Sequence, residues 1–269
     1  MRLLMGSACA LVVSLALPVS PLAQAGPPGA PQGGGQAMPP PAGAARGGGR
    51  QAAGGPDAAR VIPGGGVFVP GWTGKIDGAE AANGQVLNNS KLSQDGAVLH
   101  VETGPATTYW SPANRATGNY TVKATFTEAN YMSANSHPHP YGIVIGGNDL
   151  GTPQQSYLYC SAYGNGNFIV RGFGPSDDPA KDNVFGLNGR GGPNDAVHKA
   201  AGPGQPVTQD IAVTVKADSV ECAINGTVVA TYPKTDIVTA GRLKSTDGTF
   251  GIRFSHNTDA TVTGLTLAK

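Results

Sequence analysis

The chain has 269 residues, with 18 Lys and Arg against 17 Asp and Glu, and charged residues make up only 13% of it. A balance this close to neutral, with no basic face, excludes a partner held through nucleic-acid phosphates. The 41 glycines, together with abundant Asn and Thr, suit exposed β-structure with many turns.

The first 25 residues read as a secretory signal peptide. Arg2 supplies a small positive start, the apolar run "LLMGSACALVVSLALPV" follows, and Ala23-Gln24-Ala25 is a small-x-small cleavage pattern. Pro18 breaks the run and no charged stop-transfer flank follows, which argues against a retained membrane helix. Cys9 precedes most of the apolar run, so it does not read as a lipid anchor. Because Arg2 is the only charge in the segment, its removal leaves 17 Lys and Arg against 17 Asp and Glu, and the exported chain is formally neutral. The expected location is secreted or periplasmic, with no membrane span after cleavage.

Residues 26–66 are dominated by Gly, Pro, Ala and Gln, with no apolar periodicity. Such a composition cannot bury enough surface to offset its ordering entropy and reads as a disordered linker. Residues 67–269 then form one domain, long enough for a real core. "NYTVKATFT" alternates, with Tyr120, Val122, Ala124 and Phe126 on one face. "SYLYCSAYGNGNFIVRGFG" reads as a hairpin around "GNGN". "IAVTVKADSVECAING" reads as another, turning at Ala217-Asp218, with Asn225-Gly226 as a second tight turn into "TVVATYP". The chain ends on "GTFGIRFSHNTDATVTGLTLA", two more strands. The best helical candidate, "DAVHKAA", is too short to matter, so the class is all-β: a sandwich or barrel.

The pair "VTVKADSVECAING", the late "GTFGIRFSH" and the closing "VTGLTL" resemble the concanavalin-A-like lectin and glucanase jelly roll. With "PYGIVIGG" and the opening "PGWTGKIDGAEAANGQVL", they resemble most closely the secreted domain family named for 3-keto-disaccharide hydrolases. The resemblance spans nearly all of 67–269 and implies an antiparallel jelly-roll β-sandwich and chemistry on glycosides or keto-sugars. The chain departs from the glucanases in lacking a Glu-x-Asp-x-x-Glu strand, the source of their paired carboxyls. Gln154 and Gln155 stand where the keto-sugar family often has an acidic residue.

"SANSHPHPYGIVIGGNDL" is the segment that bears most on function. Each proline restricts the residue before it, so His137-Pro138-His139-Pro140 is a stiff entry to a central strand. Three readings follow. The loop is only a rigid connection. Or His137 and His139 join His256 and Asp149 around a metal, which needs a kink, because histidines two apart in an extended chain point to opposite sides. Or these groups form a sugar site with Asn148, Arg253 and a ring from Trp110, Tyr141, Tyr159 or Tyr163. No cofactor is called for; Ca2+ or another divalent metal would have only the aspartates of "GPSDDPAKDN" or the histidines to bind it. Cys160 and Cys222 lie on the apolar faces of their strands, as a disulfide if those strands are neighbours and as buried thiols otherwise.

Three functions fit: a non-catalytic module binding a carbohydrate or cell-envelope glycan, a hydrolase or lyase acting on glycosidic bonds, and a structural envelope protein. An enzyme should gather two acidic groups, or a His/acid metal site, in one pocket; a binding module should present rings and amides.

Overall fold

The computed structural model describes residues 58–178 and 180–269. The expected signal peptide and the expected linker up to residue 57 lie outside them. Strands dominate the described residues: β1 (Gly66–Val67), β2 (Thr73–Ile76), β3 (Lys91–Asp95), β4 (Val98–Glu102), β5 (Thr107–Ala116), β6 (Tyr120–Glu128), β7 (Pro140–Asn148), β8 (Ser156–Tyr163), β9 (Asn167–Gly174), β10 (Asn183–Gly186), β11 (Gly192–Pro193), β12 (Val207–Val215), β13 (Ser219–Ile224), β14 (Thr227–Pro233), β15 (Gly248–Phe254) and β16 (Asp259–Ala268). The α-helices among the described residues are single turns, α1 (Gly78–Ala82) and α2 (Lys234–Ile237). "DAVHKAA" is irregular, and no described helix is long and apolar enough to cross a membrane.

The strands form two sheets. The first runs β1-β3-β4-β16-β6-β12-β13-β14; the second runs β10-β9-β8-β7-β15-β5-β2, with β11 on β9. Every pairing is antiparallel except the two-residue β1 on β3. The chain alternates between sheets, and its last two strands insert between earlier ones, β15 between β5 and β7 and β16 between β4 and β6. This is the expected antiparallel jelly-roll β-sandwich, in which two sheets bury their facing sides against each other.

Alternation explains the core. From β6, Val122 and Phe126 point inward, with Ile211 and Val213 of β12 beside them. Opposite stand Tyr141, Ile143 and Ile145 of β7, Leu158 of β8, and Ile252 and Phe254 of β15. The second sheet also buries its outer face, where Val144, Tyr157, Tyr159, Ile169 and Phe173 form a separate apolar cluster. A strand buried on both faces shows no polar alternation, which is why "PYGIVIGG" reads as continuously apolar.

Two expectations change. The linker was expected to run to Gly66, yet residues 58–66 belong to the sandwich. Ile62 is buried, Arg60 pairs with Asp259, and Asn257 donates to the Ala58 carbonyl at 3.1 Å. Cys160 and Cys222 are bonded, with Cα atoms 6.1 Å apart, although their strands are not neighbours. β8 and β13 lie in opposite sheets, and the bridge crosses the core between their inner faces.

Candidate functional site

The register of the second sheet sets the side chains that underlie a cleft on its outer face. Across five strands the pairing aligns Thr108, Arg253, Gly142, Ser161 and Ile169. Gly142 has no side chain, and a Cβ there would meet the Cys160 carbonyl oxygen at 2.0 Å and the Ser161 Oγ at 2.7 Å. Gly142 therefore adds no side chain to the row, and Cys160 and Ser161 occupy the space where one would start. The next row carries Trp110, Gly251, Val144, Tyr159 and Arg171. Over Arg253, Ser161, Ile169, Tyr159 and Arg171, α1 and the 137–140 loop form the walls of a cleft of about 340 Å³.

Two carboxylates enter this cleft after β2, Asp77 from the connecting loop and Glu80 from α1. Asp77 holds Arg253 in a fork, with Nη1 donating to Oδ1 at 2.8 Å and Nη2 to Oδ2 at 2.6 Å. Arg253 Nη1 also donates to the Thr108 hydroxyl at 3.0 Å, and its guanidinium lies 4.8 Å from the Phe173 ring centre and 5.0 Å from that of Tyr159. Burial works against the Arg253 charge; Asp77, backed by the Tyr157 and Tyr159 hydroxyls, outweighs it and raises the pKa above its ordinary value. Beside this pair, burial and the Asp77 charge raise the carboxyl of Asp182, which accepts the Gly78 N–H at 2.6 Å.

Glu80, on α1, faces His256, with Oε1 3.4 Å from Nδ1. That contact holds the Glu80 carboxyl below its ordinary range against the opposing effect of burial. With Nδ1 toward the carboxylate, a neutral His256 carries its lone pair on Nε2, a buried atom with no partner among the described residues. The His139 Nδ1–H donates to the His256 carbonyl at 2.5 Å, and His139 Nε2 lies 2.9 Å from His137 Nε2. A carbonyl can only accept, so a neutral His139 accepts from His137 at its other nitrogen.

The expectation that rings two residues apart would diverge is overturned. The chain bends at Ser136–His137, and the two rings stand 4.4 Å apart, with His256 4.0 Å from His139. Even so, no group of three His, Cys, Asp or Glu among the described residues is arranged to hold a metal. The aspartate-rich loop is likewise committed, with Asp178 on Lys181 at 3.0 Å and Asp182 on Gly78.

His137, His139, Tyr163, Arg253 and His256 thus line one cleft. The candidate ring Tyr159 lines it as well, whereas Trp110, Tyr141, Asn148 and Asp149 do not. Tyr141 is on the inner face of β7, stacked between Phe126 and Phe254 with no exposure. Trp110 is 6% exposed, and the 150–152 loop approaches its ring at Gly151, so it is no open platform. Asn148 ends the nine-residue β7 and Asp149 follows it, roughly 25–30 Å away at about 3.3 Å per residue. There Asn148 donates to the Gly146 and Asp247 carbonyls at 3.0 Å, and Asp149 pairs with Lys244 at 2.6 Å.

Sequence reasoning missed Asp77, Glu80, Ser161 and Arg171. "KIDGAE" carries the one available signal for the first two, acidic residues in the loop that leaves a first strand. Arg171 is visible only as a polar break in "NFIVRGFG".

No protein-family model matches the chain, and no curated protein does. In fold it is similar to a carbohydrate-binding module, CBM66, from Bacillus subtilis, at 10% identity over 76% of this chain and 99% of that one, with a TM-score of 0.45. It is also similar to an endo-β-1,3-glucanase from Pyrococcus furiosus, at 12% identity over 71% and 85%, with a TM-score of 0.45. A Bacillus subtilis protein of unknown function with a galectin-like fold matches at 11% identity over 73% and 88%, with a TM-score of 0.44.

Proposed function

We propose that this is an exported carbohydrate-binding module that holds a glycan in the cleft over Arg253 and Ser161 without cleaving it. The observation that carries this reading is the condition of the two carboxylates there. Hydrolysis by a carboxyl pair needs one group that keeps its proton near neutrality and another free to act as base or nucleophile. Glu80 is pulled below its ordinary range by His256, Asp77 is forked onto a buried guanidinium, and Asp182, whose carboxyl is raised, is turned to the Gly78 N–H and does not line the cleft. Recognition chemistry remains: the Tyr163 ring, the Ser161 and Ser255 hydroxyls, Arg171 and His137. Export is supported by the amino-terminal pattern and by the Cys160–Cys222 bridge, since structural disulfides persist in oxidising compartments.

A second reading, a hydrolase or lyase acting on glycosides or keto-sugars, is favoured by one feature. The cleft holds two acidic groups together with His137, His139 and His256, and an imidazole can move a proton where no carboxylic acid is available.

A binding screen on poly- and oligosaccharides, with released reducing ends read in the same wells and with divalent metal or chelator present, separates the readings. Binding without product is the expected result. Product release overturns the non-catalytic reading in favour of the enzyme. Silence in both channels removes both and leaves a structural envelope protein.

A further inference from the structure

Building on the binding reading, we infer that the cleft takes an anionic glycan whose charge is a carboxylate, a uronic-acid oligosaccharide, with Arg171 as the residue that meets it. The charge inventory of the cleft points there. Asp77 has both guanidinium nitrogens of Arg253, and Glu80 has His256. Arg171 is the remaining arginine or lysine cation on the lining, and among the described residues no carboxylate lies within ion-pair distance of it. Its one hydrogen bond is long, from Nη2 to the Gly189 carbonyl at 3.4 Å. A guanidinium has five N–H donors, so most of this fork is unspent.

The surroundings add to its pull on an anion. Arg171 is half-buried and sits across the β8–β9 pairing from Tyr159. It is near enough to both the Tyr159 and Tyr163 hydroxyls to oppose the rise that burial imposes on their pKa values. Partial removal from water strengthens a charge pair relative to an exposed one. The planar fork matches a carboxylate with two parallel hydrogen bonds. A uronate would set that carboxylate on Arg171 and bring its ring hydroxyls within reach of Ser161 and Tyr163, both on the same outer face. A sulfate ester carries the same charge without the planar match.

Calorimetric titration of the intact chain tests this with uronate oligomers (galacturonate, mannuronate and glucuronate), their methyl esters, neutral oligomers of equal length, and a sulfated oligomer. At least one uronate should bind, with affinity that weakens as salt is raised. Its methyl ester and the Arg171→Gln variant should each lose about tenfold or more, with the variant's thermal unfolding unchanged. Equal binding of acid and ester, or full binding by R171Q, overturns the inference and leaves the carbohydrate reading standing. Preference for the sulfated oligomer overturns the carboxylate assignment. Failure of every oligosaccharide removes the carbohydrate reading as well.

Discussion

At Gly142 the sheet leaves no room for a side chain: Arg253 and Ser161 flank it in register, and any Cβ would collide with the Cys160 carbonyl. Its neighbour Tyr141 points the other way, into the core, with a buried hydroxyl that has no partner among the described residues. One step along the chain separates the two faces, because successive residues of a strand alternate. Glu128, at the end of β6, is the residue whose protonation the fold controls most directly. It is 4% exposed, its Oε2 has no partner among the described residues, and its Oε1 accepts from the Met132 N–H with N and O 3.4 Å apart. Burial, with the Asp259 charge adding to it, raises its pKa from 4.5 to about 7 against the Met132 bond; Tyr131 and Tyr141 also face it. The folded domain therefore keeps a proton that the unfolded chain releases near pH 4.5. Stability should fall as pH rises from about 4.5 to about 7, by on the order of 3 kcal/mol. Urea unfolding across that range should show the decline in the native protein and a flatter profile in Glu128→Gln; parallel profiles would refute the assignment.

At the scale of elements, hairpins were the most legible part of the chain. Asn225-Gly226 was read as a tight turn, and both residues adopt left-handed backbone, at φ +50° and +82°. Two-residue hairpin turns demand that conformation to match the twist of their strands. Asn225 is also a junction: its Oδ1 accepts the Asp210 N–H at 2.8 Å, and its Nδ2 donates to the Ala196 carbonyl at 2.7 Å and to Gln209 Oε1 at 2.8 Å. Asn225→Ala should cost about 2–3 kcal/mol, combining left-handed strain with the lost bonds. Asn225→Gly should cost less, because only the bonds go. Equal denaturation midpoints for the two variants would show that backbone strain contributes nothing here. The strand β7 was legible as central but not in its ends. "HPHP" and "Asn148-Asp149" are close in sequence, yet an extended strand carries them roughly 25–30 Å apart.

For the whole molecule, the disulfide ties the two sheets together through the core. It closes a span of 62 residues, which in the chain-entropy view stabilises the fold by about 4 kcal/mol. Unfolding in urea with and without reductant should differ by roughly that amount, and the Cys160→Ala, Cys222→Ala double variant should match the reduced protein. Insensitivity to reductant would mean that the bridge does not form in solution. The inserted strands β15 and β16 have a related effect, because they bring residues from the end of the chain beside those from its start. Arg253 meets Asp77 across 176 positions, and His256 meets Glu80 by the same placement.

The sequence by itself determined the class, the main hairpins and the inward face of β6, because period-two alternation and turn chemistry are local and survive without knowledge of the partner strand. It also marked six residues that share the cleft, His137, His139, Tyr159, Tyr163, Arg253 and His256. Only the tertiary structure decided that Asp77, Glu80 and Arg171 join them, that Trp110 and Tyr141 are buried, and that Asp149 stands at the opposite end. It likewise decided that Cys160 finds Cys222 across the core. Sheet order and register set these outcomes. They depend on which distant faces bury each other, a condition that no local stretch of chain encodes.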